Sequence, residues 1–152
     1  MTDYTMIAKQ IRALAEISAK WLPLFSNACA LLYEAMEQVN WAGFYLADGD
    51  ALLLGPFQGK PACVRIEKGR GVCGAAFRED AVQLVPDVHA FPGHIACDSA
   101  SNSEIVIPLH RDGAVCGVLD LDSPSLARFS ADDEEGLVRF ARILEEALAS
   151  TR

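Results

Sequence analysis

Residues 41–54 have the sequence WAGFYLADGDALLL, and this stretch predicts a β-hairpin. Its first half is rich in the aromatic and apolar residues that pack well in strands, and its second half is apolar again. Asp48 and Gly49 between the halves form a dipeptide typical of tight hairpin turns. Trp41 and Tyr45 are four residues apart, so a strand places both side chains on one face. They fit either core packing or one wall of a pocket for a small ligand.

Outward from this hairpin, the sequence predicts further short strands, with helices at both ends of the chain. Ser130 is the predicted N-cap of the last helix. Helices on either side of a group of hairpin strands indicate an α+β fold, in which helices pack on an antiparallel sheet. The predicted strands are 41–46, 51–54, 63–66, 82–85, 104–109 and 114–122; the predicted helices are 5–39 with an interruption at Pro23, a short helix ending at Glu79, and a final helix through Leu148.

The composition is that of a globular protein. The chain has 152 residues, of which 51% are hydrophobic and 22% charged, and this length predicts one domain over residues 1–152. The net charge is −8 without a basic patch, which argues against nucleic-acid binding. No apolar run approaches the roughly 20 residues that span a bilayer. The N-terminal residues lack a signal-peptide pattern, so we expect a cytoplasmic protein.

The chain has five cysteines, and this odd number argues against a structural disulfide framework. Cys29 and Cys116 lie in apolar segments and are predicted to be core residues. Cys97 instead lies in a loop of small and polar residues, where a thiol can be exposed and reactive. Redox chemistry at Cys97 is therefore one hypothesis for the function.

Two further motifs have competing interpretations. A possible zinc site consists of Cys73, His89, His94 and Cys97. Its spacing departs from the usual closely paired ligands, so we expect no bound metal. Residues 69–74, GRGVCG, match the dinucleotide-binding fingerprint by letter. The helix that follows has room for only about two turns, whereas the fingerprint needs a long helix in a βαβ unit, so we expect a glycine-rich turn.

Three carboxylates are predicted to share one face of the sheet. Asp120 and Asp122 are two residues apart in a strand, so their side chains point to the same side. Glu104 begins the partner strand, and a three-residue loop between the strands would pair His110 with Ala114. Glu104 would then lie opposite Asp120, whereas a two-residue loop would turn it to the other face. The aspartates fit either a solvated strand face or a site for a ligand ammonium.

Five segments of the chain, taken together, form a pattern similar to that of one known protein family. They are NWAGFY (40–45), GRGVCG (69–74), DVH (87–89), GHIACDSASNSEIV (93–106) and GVLDLDS (117–123). The pattern resembles the family of GAF-domain free methionine-(R)-sulfoxide reductases, and the resemblance covers nearly the whole chain. It implies a GAF-like fold with a sheet of about six antiparallel strands, a homodimer, and thioredoxin as the reductant.

The resemblance implies a thiol mechanism that needs no cofactor. Cys97 corresponds to the nucleophile, Cys63 to the resolving cysteine and Cys73 to a third, auxiliary cysteine. Attack by a thiolate on the sulfoxide would leave methionine and a sulfenic acid, which a second thiol converts to a disulfide. Thioredoxin would reduce that disulfide by exchange. Glu104 corresponds to the acid that protonates the sulfoxide oxygen.

The substrate that the resemblance implies is free methionine-(R)-sulfoxide. Asp120 and Asp122 correspond to the carboxylates that bind its ammonium, and Trp41 and Tyr45 to the pocket wall. A residue inside a peptide has no ammonium, so charge-assisted hydrogen bonds to it explain a preference for the free amino acid. The alternatives are a non-catalytic GAF module that binds a small ligand, and a redox sensor that needs the cysteines but not the carboxylates.

Overall fold

The computed structural model describes residues 1–93 and 101–150 and confirms the α+β fold. Six antiparallel strands form one sheet in the order β3-β2-β1-β6-β5-β4, and four helices pack on it. A short 3₁₀ turn, Val88–Ala90, follows β4. The strands are β1 Trp41–Asp48, β2 Ala51–Gly59, β3 Arg65–Glu67, β4 Gln83–Val85, β5 Ser103–Arg111 and β6 Ala114–Ser123; the helices are α1 Tyr4–Ile17, α2 Trp21–Ala35, α3 Gly71–Glu79 and α4 Ala131–Ala149.

The sheet separates two apolar clusters because side chains alternate between its faces. On one face, α1, α2 and α4 cover the main core, which includes Phe44, Leu119 and Leu121. On the other face, α3 packs against β5 and β6, and the cluster there includes Trp41 and Tyr45. Leu119 and Leu121 therefore point away from Asp120 and Asp122, which line a pocket on the other face.

Among the helices within residues 1–93 and 101–150, none is both long and apolar enough to cross a membrane.

The N-terminal helical segment is interrupted earlier than the sequence predicts. The predicted interruption at Pro23 is wrong: α1 already ends at Ile17, where Ser18 adopts an extended conformation, and α2 begins at Trp21. Pro23 lies in the first turn of α2. A proline is tolerated there because the N–H groups of the first turn have no partner within the helix.

The bounds of β2 and β3 also differ from the prediction. β2 continues through Pro56 to Gly59 instead of ending at Leu54, and β3 begins at Arg65, so Cys63 precedes the strand. The C-terminal helix begins as predicted. Ser130 caps it with a hydrogen bond from the N–H of Asp133, whose side chain bonds back to the N–H of Ser130.

The β5–β6 turn has two residues rather than the predicted three. Arg111 pairs with Ala114, so the predicted pair of His110 with Ala114 is wrong. The turn residues Asp112 and Gly113 have φ values of 56° and 79°. Two successive positive φ values are typical of the type I′ turn, which matches the twist of a hairpin.

A bulge restores the face that this shorter turn would have reversed. Leu109 pairs with Gly117 and His110 with Val115, so Cys116 is the extra residue on β6. Beyond the bulge, Glu104 pairs with Asp122 instead of Asp120. The predicted pairing of Glu104 with Asp120 is therefore wrong. Glu104 nevertheless lies on the predicted face of the sheet, because the turn and the bulge each shift the register by one residue and a strand repeats every two residues.

His110, near the end of β5, connects two helices to the sheet. Its Nε2 lies 2.5 Å from Oδ1 of Asp80, the C-cap of α3, and its Nδ1 lies 2.8 Å from Oε2 of Glu145 on α4. Arg142 also contacts Glu145 and His110. Partial burial opposes the charged ring, but the hydrogen bonds to Asp80 and Glu145 outweigh it and raise the pKa of His110.

We expect a His110→Gln variant to lose stability mainly below neutral pH. A raised folded-state pKa means that the contribution of His110 is complete below its unfolded pKa of about 6.5 and is lost as pH rises through the folded pKa. Urea unfolding at a series of pH values from about 6 to 9 measures this. The difference in free energy of unfolding between wild type and variant should decrease as pH rises. A difference that stays constant with pH would contradict a contribution from the charged form of His110.

Candidate active site

One pocket lies on the α3 face of the sheet and encloses about 60 Å³. Its walls come from β1, β5, β6, the N-terminal half of α3 and the segment before β3. Strands β1, β6 and β5 are neighbours in the sheet, which fixes their relative positions, and Ile66 of the edge strand β3 also lines the pocket. Six of the eight residues predicted for the site line this pocket: Trp41, Tyr45, Cys73, Glu104, Asp120 and Asp122.

The aromatic wall is formed by stacked rings. The ring centroids of Trp41 and Tyr45 are 5.9 Å apart at an interplanar angle of 23°, and Phe57 stacks on Trp41 at 5.3 Å. Trp41 donates from Nε1 to the carbonyl of Lys60, and both Trp41 and Tyr45 are buried. The wall is thus held by hydrogen bonds as well as by packing.

Gly43 makes this stacking possible. A Cβ at this position would lie 2.4 Å from Cβ of Phe57 and 2.6 Å from the Trp41 ring. Any side chain would displace the indole, so the strand needs glycine between the two aromatic residues. The sequence analysis gave Gly43 no role, although its place between two aromatic residues on one strand is a recognisable signal.

Helix α3 is placed by the glycine-rich turn that the sequence predicts. Gly69 and Gly71 have φ values of 85° and 62°, which favour glycine. A Cβ on Gly74 would lie 2.7 Å from the carbonyl oxygen of Glu67, so the helix approaches the backbone before it closely. This approach brings Cys73 onto the pocket-facing side of the helix.

Two carboxyl groups and a thiol are buried together at the pocket floor. Cys73 Sγ lies 4.0 Å from Oε2 of Glu104, and Cys73, Glu104 and Asp120 each offer a polar atom within 4.8 Å of the others. These side chains are only 5–8% exposed. The interpretation of Asp120 as part of a solvated strand face is therefore wrong. Asp122 lines the same pocket and is half-buried.

The electrostatics of the cluster favour its neutral forms. Desolvation by burial, then the charge of Asp120, hold the pKa of Glu104 well above its ordinary value. Desolvation, then the charge of Asp122, do the same to Asp120. Burial followed by these carboxylates also raises the pKa of the Cys73 thiol. Desolvation disfavours a charge, and like charges on neighbouring groups disfavour it further.

The remaining cysteines differ in state. Cys63 is disulfide-bonded, whereas Cys29, Cys73 and Cys116 are free thiols. Cys63 lies close to the pocket, because the Tyr45 hydroxyl donates to its carbonyl oxygen at 3.0 Å. Cys29 is buried in the core as predicted, and Cys116 is half-buried at the bulge. The predicted nucleophile, Cys97, lies outside the described residues.

The possible zinc set is not assembled within the described part of the chain. Cys73 lines the pocket, whereas His89 is exposed and its Nε2 lies 3.1 Å from Oδ1 of Asn102. His94 and Cys97 lie outside the described residues.

Two pocket residues with polar side chains were not predicted from the sequence. Arg70, the residue before α3, adds a cation to the pocket rim, and Ser101 adds a hydroxyl. Ser101 Oγ is also within 3.5 Å of Asn40 Nδ2, just before β1. Both residues lie in segments that the sequence analysis quotes, 69–74 and 93–106, but nothing in those patterns assigns either side chain to the pocket, so only the folded arrangement identifies them.

Comparisons with known proteins agree with this fold. The GAF domain family model matches residues 22–148. The free methionine-R-sulfoxide reductase of Escherichia coli is 51% identical over 97% of this chain and 90% of its own length. The structure of fRMsr of Staphylococcus aureus in its reduced form is 48% identical, with a TM-score of 0.94, covering 97% of this chain and 96% of that one.

A third relative was solved with its substrate bound. This free methionine-R-sulfoxide reductase, from Neisseria meningitidis, is 45% identical, with a TM-score of 0.94 over 98% of this chain and 90% of that one. Identities near one half over almost the whole length, together with the GAF match, settle the relationship. The chain belongs to the GAF-domain family of free methionine-R-sulfoxide reductases.

Proposed function

We propose that this protein reduces free L-methionine (R)-S-oxide to L-methionine with its own thiols. The observation that carries the proposal is the pocket itself, where a stacked aromatic wall faces buried carboxyl groups. Aromatic rings suit the methyl-thioether end of the substrate, and carboxylates suit its ammonium. Relatives that bear the name of this activity cover nearly the whole chain, which adds support.

The proposed chemistry begins at Cys97. Its thiolate attacks the sulfoxide sulfur while Glu104 protonates the sulfoxide oxygen. The bond formed between the two sulfurs and the sulfur–oxygen bond of the substrate then break while the oxygen passes to the Cys97 sulfur, so methionine leaves and Cys97 becomes a sulfenic acid. The thiol of Cys63 then displaces water from the sulfenic acid to form a disulfide. A dithiol protein, thioredoxin, reduces this disulfide by exchange, which regenerates both thiols.

The raised pKa of Glu104 supports its assignment as the acid. A carboxyl group at its ordinary pKa would be ionised at neutral pH and unable to donate a proton. Burial and the nearby Asp120 raise the pKa of Glu104 and so favour its protonated form. A raised pKa suits a carboxyl group to the role of general acid.

Asp120 and Asp122 are proposed to bind the substrate ammonium. Their positions on one face of β6 give the charged amine two neighbouring acceptors. In the empty pocket, burial raises the pKa of Asp120. An arriving ammonium reverses that shift, because an opposite charge favours the ionised carboxylate. This pair therefore distinguishes a free amino acid from a residue within a peptide.

The choice of Cys63 rather than Cys73 as the resolving thiol rests on two observations. Cys63 is disulfide-bonded and half-buried next to the 72% exposed Val64, so a protein reductant can reach this segment. Cys73 is a free thiol, and burial raises its pKa. Because the thiolate is the reacting species, a buried thiol with a raised pKa is a poor resolving group.

The homodimer and the cytoplasmic location are part of the same proposal. Ile17, Trp21 and Leu22 are exposed where α1 meets α2, and such an apolar group offers a surface for a second copy of the chain. A catalytic cycle of free thiols and a reducible disulfide suits a reducing compartment such as the cytoplasm.

The test of the function supplies free L-methionine sulfoxide, as an equal mixture of the R and S sulfoxides, with dithiothreitol and measures methionine. We expect about half of the sulfoxide to be consumed, because only the R form is the proposed substrate. A non-catalytic ligand-binding module or a redox sensor would release no methionine beyond the blank reaction.

The first prediction concerns the cysteines. Cys97→Ser should abolish turnover with any reductant, because no thiol remains to attack the sulfoxide. Cys63→Ser should release about one methionine per subunit and then stop with thioredoxin, while dithiothreitol, which attacks the sulfenic acid directly, partly rescues it. Cys116→Ser is the matched control. A Cys73→Ser variant that fails in the same way as Cys63→Ser would instead make Cys73 the resolving cysteine.

The second prediction concerns the substrate amine. Asp120→Asn or Asp122→Asn should lower kcat/KM roughly ten- to a hundredfold, because a charge-assisted hydrogen bond is worth about 1.5–3 kcal/mol. Glu104→Gln should lower kcat more than affinity, since it removes the proton donor. N-acetylated methionine sulfoxide should be a poor substrate for the wild type. In a double Asp→Asn variant, acetylation of the substrate should lower kcat/KM only slightly further. Equal rates with the free and acetylated compounds would contradict the assignment.

The third prediction concerns stability. A carboxyl group whose folded pKa is raised destabilises the protein once pH exceeds its unfolded pKa of about 4. Asp120→Asn should therefore raise the free energy of unfolding at neutral pH by on the order of 1 kcal/mol or more. The exposed acid Glu146 provides the matched control, Glu146→Gln, which should change little. Urea unfolding measures both. If the increase in free energy of unfolding for Asp120→Asn is as large at about pH 4 as at neutral pH, it does not come from the buried charge, and the prediction is contradicted.

A further inference from the structure

The pocket floor combines a thiol with two carboxyl groups at separations that suit a metal ion. Cys73 Sγ, a carboxylate oxygen of Glu104 and one of Asp120 all lie within 4.8 Å of one another, on α3, β5 and β6 respectively. We propose that Cys73, Glu104 and Asp120 bind a thiophilic divalent cation such as Zn²⁺, which inhibits the protein by occupying the place of the substrate amine.

The distances allow coordination with little movement. Zinc binds thiolate at about 2.3 Å and carboxylate oxygen at about 2.0–2.2 Å, so two ligands of one tetrahedral ion lie roughly 3.5 Å apart. The Cys73 Sγ to Glu104 Oε2 distance is already 4.0 Å. Rotation of the carboxyl groups of Glu104 and Asp120 can provide the remaining approach of the ligand atoms. The backbone itself need not move, because the three residues lie on regular elements that pack against one another.

A second observation points to a cation here independently of the acidic cluster. Asp120 is 5% exposed, and its Oδ1 has no hydrogen-bond partner among the described residues. A buried acceptor without a donor costs free energy that a bound cation would recover. Asp120 lines the pocket, so an ion that enters the pocket comes to lie beside this carboxyl group.

The thiol determines which metals the site prefers. Thiolate ligands select zinc, cadmium or cobalt over the hard ions magnesium and calcium, which take oxygen ligands. Three protein ligands leave a fourth position for water, as in open zinc sites. On binding, the metal–sulfur bond replaces the S–H bond of Cys73, and that proton, with any carried by Glu104 or Asp120, passes to solvent. No oxidant or reductant is involved.

This proposal differs from the zinc set weighed in the sequence analysis, with which it shares only Cys73. It also assigns the ion no part in catalysis. Glu104 and Asp120 are groups proposed to meet the substrate, so an ion bound to them removes the proton donor and one of the two acceptors for the amine. The competition with substrate rests on the proposed function, whereas metal binding itself does not.

The test uses Co²⁺ as the probe, because cobalt bound to a thiolate has an ultraviolet charge-transfer band that oxygen ligands alone do not give. The protein is Cys63→Ser/Cys97→Ser, reduced with a phosphine, so that neither of these cysteines nor a dithiol reductant contributes. We expect this band, visible bands of a tetrahedral site, and displacement of Co²⁺ by Zn²⁺ but not by Mg²⁺. Absence of the charge-transfer band in this protein would overturn the proposal.

Further substitutions in the same background locate the site. Cys73→Ser should abolish the band, and Cys116→Ser should leave it intact. Asp120→Asn retains the thiol and should weaken Zn²⁺ binding, measured by calorimetry, roughly tenfold or more, since even outer partners of a metal site contribute about 10–100-fold. A band that survives Cys73→Ser would place the metal elsewhere. If Cys73→Ser does not fold, unchanged Zn²⁺ affinity in Asp120→Asn overturns the proposal instead.

A competition experiment separates this proposal from the proposed function. Free methionine is first titrated into metal-free protein and then into protein loaded with Zn²⁺. We expect methionine to bind metal-free protein and to bind Zn²⁺-loaded protein at least tenfold more weakly. Equal affinities would overturn the proposed competition between metal and substrate. Methionine that does not bind metal-free protein would contradict the proposed function, while the cobalt spectra would still decide the metal site.

Discussion

The pocket depends on burying two carboxyl groups and a thiol side by side on one face of a sheet. Desolvation is the largest cause of the raised pKa values of Glu104, Asp120 and Cys73. Such a cluster destabilises the folded state, so the stability must come from elsewhere. The apolar core under α1, α2 and α4 provides it on the opposite face of the same strands. One sheet therefore carries the core on one side and the cluster on the other.

The alternation of residue types along β6 made the two faces of this strand predictable from the sequence. Leucine and aspartate alternate over residues 119–122, so the sequence alone separates an apolar face from an acidic one. The register with β5 was not predictable in the same way. Asp112-Gly113 forms a two-residue turn and Cys116 forms a bulge, and the two shifts cancel for the face of Glu104. No residue type at position 116 signals a bulge, so its presence follows only from the packed sheet.

The parts of the site that the sequence missed are those that depend on long-range contacts. Gly43 is required because the Trp41 ring lies over it, and the ring position in turn depends on Phe57 from β2. Arg70 reaches the pocket only because the turn before α3 brings the helix close to the strands. The early end of α1, at Ile17, has a similar origin. Local propensity favours a break at proline, whereas the first turn of α2 tolerates Pro23.

Under the proposed function, the same carboxyl groups also keep Cys73 unreactive until a cation arrives. Their negative charge disfavours the Cys73 thiolate, so the thiol beside the sulfoxide site does not compete with the nucleophile in the empty pocket. A bound ammonium or metal ion changes the sign of the local field, because a positive charge favours both carboxylate and thiolate. Occupancy of the pocket and ionisation of Cys73 are thus coupled, and the side chains that would select the free amino acid also control the reactivity of Cys73.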